Sequence, residues 1–225
     1  MNTSLLFGIP IFKTKINPNS FNKKEIIKSI TENYNVDSVR NEFDGISNIH
    51  MEYGDRENKR FEKVDYSKVN DVYNDIFKDF FSTHFKSKIN FEYEFFNCNY
   101  TASIGNQFMA PHNHLPYSDF SCVHYVKLNK KDKPTTFINP SNYKDYFRYL
   151  KPNMVNIADL NNINNTYMCD EYMFEVDEDD FIIFPSVIKH KVSNLKSNDI
   201  RVTLVTDIIL KEQNAWYKRI DYATS

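Results

Sequence analysis

His112-Asn113-His114, followed by the apolar run Phe120-Ser121-Cys122-Val123-His124-Tyr125-Val126-Lys127-Leu128, is the stretch on which the reading of this chain turns. In an extended segment successive side chains alternate between faces, so histidines one residue apart project to the same side. Phe120 to Leu128 carries the aromatic and β-branched residues of a buried strand. A third imidazole, His190, closes the run Phe184-Pro185-Ser186-Val187-Ile188-Lys189-His190, directly after the apolar strand Phe181 to Phe184. Proline has no N–H for a ladder, so Pro185 ends the pairing and lets the chain turn, leaving His190 at the mouth of the sheets. Arg201 and Thr203 lie two residues apart at the head of the next strand, Ile200 to Leu210. Neutral imidazoles are good ligands for iron, and an arginine beside them can grip a carboxylate with its planar fork. Any one of these histidines alone is an ordinary hydrogen-bonded residue; the conjunction carries the reading.

Outward from this stretch the periodicity divides the chain. Leu5 to Phe12 reads as an entering strand. Phe21 to Glu32 has helical spacing, and Val69 to Phe85 has a wide apolar stripe through Val69, Val72, Ile76, Phe77, Phe80 and Phe81 that reads as core packing. After Ser87 the pattern becomes strand-like at Phe91 to Thr101, Phe120 to Leu128, Thr135 to Asn139, Tyr172 to Val176, Phe181 to Phe184 and Ile200 to Leu210. Asn129 to Lys133, Asn139 to Asn142 and Asn161 to Asn165 read as turns. The acidic run Asp177 to Asp180 reads as a solvated hairpin turn rather than a metal site. Asn35 to Ser67 and Pro140 to Tyr172 are long connections, equally able to be surface decoration or substrate covers. The layout predicts one α+β domain over residues 1–225, with a helical part to about residue 88 and a sandwich or jelly roll from about 89 to 210.

Composition narrows the function classes. The chain has 225 residues, 16% aromatics and only 4 glycines, which argues against glycine-rich phosphate loops and repeat arrays. A formal charge of −2 gives no electrostatic ground for nucleic-acid binding. Cys98, Cys122 and Cys169 are far apart and odd in number, which fits a reducing cytoplasm, and no apolar run approaches a membrane span. His124, next to Tyr125 and facing away from it, reads as structural or solvent-facing; His50 and His84 receive no role.

These residues resemble the 2-oxoglutarate and Fe(II)-dependent oxygenase superfamily, and more narrowly the 2OG-Fe(II) oxygenases of tailed phages and bacteria. The resemblance rests on Phe7-Gly8-Ile9-Pro10-Ile11, Phe95-Phe96-Asn97-Cys98-Asn99, Gly105, His112-Asn113-His114 with Pro116, Ser121-Cys122-Val123-His124-Tyr125, Phe184-Pro185 through His190, and Arg201-Val202-Thr203. It implies a double-stranded β-helix, a distorted jelly roll, and a cytoplasmic enzyme (host cytoplasm if phage-encoded) that uses Fe(II) and 2-oxoglutarate. Hydroxylation with release of succinate and carbon dioxide is the default outcome. By the resemblance His112 and His190 bind iron, Arg201 and Thr203 hold the distal carboxylate of 2-oxoglutarate, Tyr125 reaches the same carboxylate, and Asn99 is a lesser member of that pocket. The substrate, small molecule or peptidyl, stays open, as does the oligomeric state; no nucleic-acid or membrane partner is expected.

One position departs from the superfamily. Asp or Glu usually stands two residues after the first histidine, where this chain has His114. A third imidazole can occupy that corner but adds no negative charge; alternatively His114 points away. No nearby carboxylate offers a substitute, since Asp119 lies past the expected turn. Two other readings stay open: a three-histidine, cupin-like dioxygenase that does not use 2-oxoglutarate, and a non-catalytic jelly-roll binding or virion-associated module.

Overall fold

The computed structural model describes residues 2–6, 8–36, 49–51, 63–85, 87, 90–141, 157–194 and 197–212. In chain order these form β1 (Asn2–Leu6), β2 (Ile9–Lys15), α1 (Lys23–Val36), β3 (His50–Met51), α2 (Ser67–Thr83), β4 (Phe91–Ser103), β5 (Met109–His112), β6 (Phe120–Lys127), β7 (Thr135–Ile138), a 3-10 helix (Ile163–Met168), β8 (Glu171–Met173), β9 (Asp180–Pro185), β10 (His190–Val192) and β11 (Arg201–Glu212). A seven-stranded sheet has the order β1-β2-β9-β6-β11-β4-β3, and a four-stranded sheet the order β5-β10-β7-β8. The strand pairs in both are antiparallel.

Strand alternation gives the large sheet two different apolar faces. On one, Phe12, Phe120, Cys122, Val126, Phe181, Ile183, Val202, Leu204 and Ile208 pack with the helices. Helix α2 buries Val69, Tyr73, Phe77, Phe80 and Phe81, spaced three or four residues apart or adjacent along one stripe. Its rings meet the sheet edge-on and stacked: Phe80 lies 4.6 Å from Phe12, and Tyr73 lies 4.8 Å from Phe181. Each such ring contributes about 1.5–3 kcal/mol through burial, and each pair about 0.5–1.5 kcal/mol more. On the opposite face Ile11, Val123, Tyr125, Ile182 and Phe184 pack with Phe137 of β7, whose ring lies 5.0 Å from that of Phe184. The small sheet therefore lies over this second face.

A bulge sets the facing along β4. Val205 pairs with Asn99 but Thr206 pairs with Asn97, so Cys98 is an extra residue opposite β11. Asn97 consequently faces the helices, where its amide donates to Asn70 at 2.5 Å, while Asn99 lines the cavity between the sheets. Without the extra residue both asparagines would share one face.

Several expectations are revised. Leu5 to Phe12 is a hairpin rather than one strand: Gly8 takes φ 78°, and β1 folds back on β2. The division near residue 88 does not separate helix from sheet, because β1, β2 and β3 all join the large sheet. The acidic run is not a solvated hairpin. It is a corner leading from the small sheet into the large one, and Asp179 and Asp180 are buried there. Lys23 bonds Asp179 at 2.6 Å and Glu178 at 2.7 Å, and Lys13 lies 3.5 Å from Asp180. His124 is fully buried on the helix side, with Nδ1 2.8 Å from the Tyr73 hydroxyl, so its structural role holds and a solvent-facing one does not. Most of the first long connection, at 37–48 and 52–62, and just under half of the second, at 142–156, lies outside the described residues. Among the described residues no helix is long and apolar enough to cross a membrane.

Candidate metal centre

His112 and His190 meet because they are cross-strand partners, directly opposed in the β5–β10 pair. Their ring centroids lie 4.3 Å apart. His114 sits just beyond the end of β5 and closes the group, with its ring 5.4 Å from His112 and 5.2 Å from His190. Three ligand-capable nitrogens, one from each ring, lie within 4.8 Å of one another.

Each ring is oriented by its other nitrogen. His112 Nδ1 donates to the Ala110 carbonyl at 2.9 Å, and His190 Nδ1 donates to the Ile188 carbonyl at 3.1 Å. A carbonyl can only accept, so the proton is on Nδ1 and the lone pair of the neutral ring is on Nε2. Burial, followed by the neighbouring imidazoles, pushes His190 well below its ordinary value; burial outweighs the Ala110 bond and brings His112 down to about 4. Both rings are thus neutral donors near pH 7, the form a metal requires.

His114 is held differently. Its Nδ1–H donates to both carboxylate oxygens of Asp207, at 2.9 and 3.0 Å. Its backbone N–H donates to Ser186 O at 3.2 Å, and its carbonyl accepts from Tyr117 at 2.9 Å. Below it, the Ser186 hydroxyl is shared with Ser118 at 2.7 Å and Ser121 at 2.8 Å, which laces the histidine turn to the end of β9. Asp119 is indeed no substitute ligand: its carboxylate accepts from Leu210 N–H at 2.7 Å. Asp207 is the residue that reading along the sequence overlooked. Its signal was its place on β11, six residues after Arg201 and so on the same strand face.

The same cavity, of about 490 Å³, contains Arg201, Thr203 and Asn99. Arg201 is 1% exposed, and among the described residues Nε, Nη1 and Nη2 have no hydrogen-bond partner. Burial lowers its ordinary value, against the opposing pull of Tyr125 and Asp132. A buried cation with three unmatched donor nitrogens is costly until an anion arrives, and the geometry of its fork suits a carboxylate. Thr203 Oγ1 lies 2.5 Å from Thr101 Oγ1 across the β11–β4 pair. Tyr125 is packed beneath: Arg201 lies 5.6 Å from its ring centroid, and its hydroxyl accepts from Thr135 N–H at 3.2 Å. Asn99 is 8% exposed, and its Oδ1 has no hydrogen-bond partner among the described residues. The donor set therefore fits a divalent iron, and the unmatched guanidinium fits a dicarboxylate such as 2-oxoglutarate.

Fold and site together define a two-sheet β protein with three converging histidines, a candidate metal centre, beside a buried arginine. Residues 100–207 match the profile of the family described as "Putative 2OG-Fe(II) oxygenase". This segment, just under half of the chain, is similar to the 2OG-Fe(II) oxygenases, a family that uses Fe(II) and 2-oxoglutarate. Among solved structures the chain is similar to a Trichoplax adhaerens prolyl hydroxylase in complex with a hypoxia inducible factor peptide fragment, at 10% identity and TM-score 0.52, covering 88% of this chain and 83% of that one. It is also similar to a Pseudomonas putida prolyl-4-hydroxylase at 9% identity and TM-score 0.49, covering 91% and 93%. A Burkholderia pseudomallei 2OG-Fe(II) oxygenase family protein matches at 13% identity and TM-score 0.43, covering 64% of this chain, which spans 56% of that one. At these identities the Trichoplax likeness establishes shared architecture alone. A search of curated proteins gave no match.

Proposed function

We propose that this protein is an oxygenase that hydroxylates an uncharged, largely apolar group, built on a distorted jelly roll formed by the two sheets. The observation that carries the reading is Arg201, a buried guanidinium with no hydrogen-bond partner among the described residues, opening into the same cavity as three converging imidazoles. In this reading His112, His114 and His190 hold Fe(II), and Arg201 with Thr203 holds the distal carboxylate of 2-oxoglutarate. When bound, Fe(II) and 2-oxoglutarate supply the oxidative chemistry, in which decarboxylation to succinate and carbon dioxide is coupled to oxygen insertion into a substrate C–H bond. The chain's own residues orient and shield. Tyr125, stacked under Arg201, keeps the guanidinium in place. Asn99 offers a polar side chain on the cavity wall. Ala110 and Ile188 fix the tautomers of the two strand histidines.

The substrate class is read from the rest of the wall. Met51, Val123 and Val205 line the cavity, and Phe96, Leu115 and Tyr117 rim it at 41%, 46% and 75% exposure. Apolar side chains at such a mouth exclude water and favour an uncharged guest. A small molecule or a peptide side chain both satisfy this. The test is succinate release from anaerobically prepared, Fe(II)-loaded protein on admission of oxygen and 2-oxoglutarate. Slow release without substrate, abolished in His190→Ala, is expected. Oxygen consumption indifferent to 2-oxoglutarate would support the three-histidine dioxygenase instead, and no metal uptake would support the binding module.

A further inference from the structure

The carboxylate that is missing from position 114 has not left the centre. We infer that Asp207 supplies it through His114, acting as a positioning residue that gives the third imidazole both its orientation and a negative charge directly behind it; the inference rests on the Fe(II) reading above. His112 and His190 donate from Nδ1 to neutral carbonyls, whereas His114 donates to a carboxylate, with both oxygens at 2.9–3.0 Å. The three rings are therefore not equivalent. A carboxylate accepting the Nδ1 proton fixes which nitrogen of the ring is left as the ligand and places a negative charge one hydrogen bond behind it. The pair is also well enclosed, with side-chain exposures of 14% for His114 and 7% for Asp207, so the charge is weakly screened by water. Asp207 projects from β11 between β4 and β6, opposite Phe96 and Ser121, so its backbone is fixed on both sides. The rings and Asp207 together form two neutral imidazoles and one carboxylate-backed imidazole, the charge count of two histidines and a carboxylate with the anion moved one residue outward.

The experiment is anaerobic calorimetric titration of Fe(II) into the full chain and into Asp207→Asn, Asp207→Ala and Asp207→Glu, with the ligand-field absorption of the Co(II)-loaded proteins as a second readout. Asparagine keeps the shape and one acceptor oxygen but removes the charge. It should lose roughly 10–100-fold in Fe(II) affinity, as second-sphere carboxylates typically do, and shift the Co(II) spectrum while leaving the melting temperature of the metal-free protein unchanged. Alanine should lose at least as much, and glutamate should recover most of the affinity. Because Asp207 acts through His114, adding Asp207→Asn to His114→Ala should cost nothing beyond His114→Ala alone; this cycle decides the matter even if one single variant folds poorly. Wild-type affinity and spectrum in Asp207→Asn, or additive losses in the double variant, would overturn the inference. So would Fe(II) binding that survives His114→Ala but not Asp207→Ala, which makes Asp207 a direct ligand. Failure of the oxygenase reading alone shows differently: wild-type protein binds Fe(II) with the Asp207 pattern intact but does not take up 2-oxoglutarate. Wild-type protein that binds no Fe(II) overturns both.

Discussion

Arg201 and Asp207 are opposite charges on one strand face of β11, and the structure treats them oppositely. Asp207 is matched by His114, while Arg201 has no hydrogen-bond partner among the described residues. That asymmetry makes a prediction in both directions. Arg201→Met removes a buried charge whose donors have no hydrogen-bond partner among the described residues, so the protein free of ligand should be as stable as wild type or more stable, by up to about 4 kcal/mol in denaturant unfolding. The same variant should lose about 2–5 kcal/mol of 2-oxoglutarate binding, read by calorimetry on Fe(II)-loaded protein. Destabilisation of the ligand-free form would mean that the guanidinium has a structural partner. At this scale the sequence was partly legible. The histidines and Arg201 declare themselves by residue type and spacing. Asp207 does not, because a search along the chain from His114 reaches Asp119 first, and only strand pairing brings β11 beside the turn.

At the level of elements, the site depends on which way each strand faces. Strands β4, β6 and β11 alternate between the helix layer and the cavity, and the extra residue at Cys98 keeps Asn97 on one side and Asn99 on the other. Alternation was readable from the sequence for β6, where His124 and Tyr125 were expected on opposite faces and lie so. The bulge was not readable, since nothing in Asn97-Cys98-Asn99 distinguishes a regular strand from one with an extra residue. The short strands β5 and β10 were also missed, because three or four residues show no period. Yet their pairing is what sets His112 against His190. The aromatic stripe of α2 was read as core, and it is: Phe80 is fully buried, with its ring 4.6 Å from Phe12 and 5.3 Å from Phe120. Phe80→Ala should cost about 3–5 kcal/mol in denaturant unfolding without altering Fe(II) affinity in the protein that remains folded. A cost below about 1 kcal/mol would show that the helix layer can close over the gap.

Across the whole molecule, burial of imidazole links stability to pH. Burial, the largest influence on each, brings His112 to about 4 and His124 to about 3, and it lowers His190 as well. An unfolded histidine titrates near 6.5, so below that pH the unfolded chain takes up protons that the folded chain refuses. Stability of the metal-free protein should therefore be fully present above about pH 6.5 and decline as the pH falls toward 4, by about 1.4 kcal/mol per pH unit for each ring. Denaturant midpoints at pH 7 and pH 5 check this; a midpoint that is flat or higher at pH 5 contradicts it. At the scale of the chain a formal charge of −2 gives no electrostatic ground to expect nucleic-acid binding and does not point to a substrate, which depends on the wall of one cavity.

In the proposed function the three imidazoles and Arg201 act as one site for a metal and a dicarboxylate. The most direct measurement is anaerobic calorimetric titration of 2-oxoglutarate into the protein with and without Fe(II). The account predicts tight one-to-one binding with the metal present and a large loss of affinity in its absence. Binding that is equal in both conditions, or undetectable in both, would contradict it.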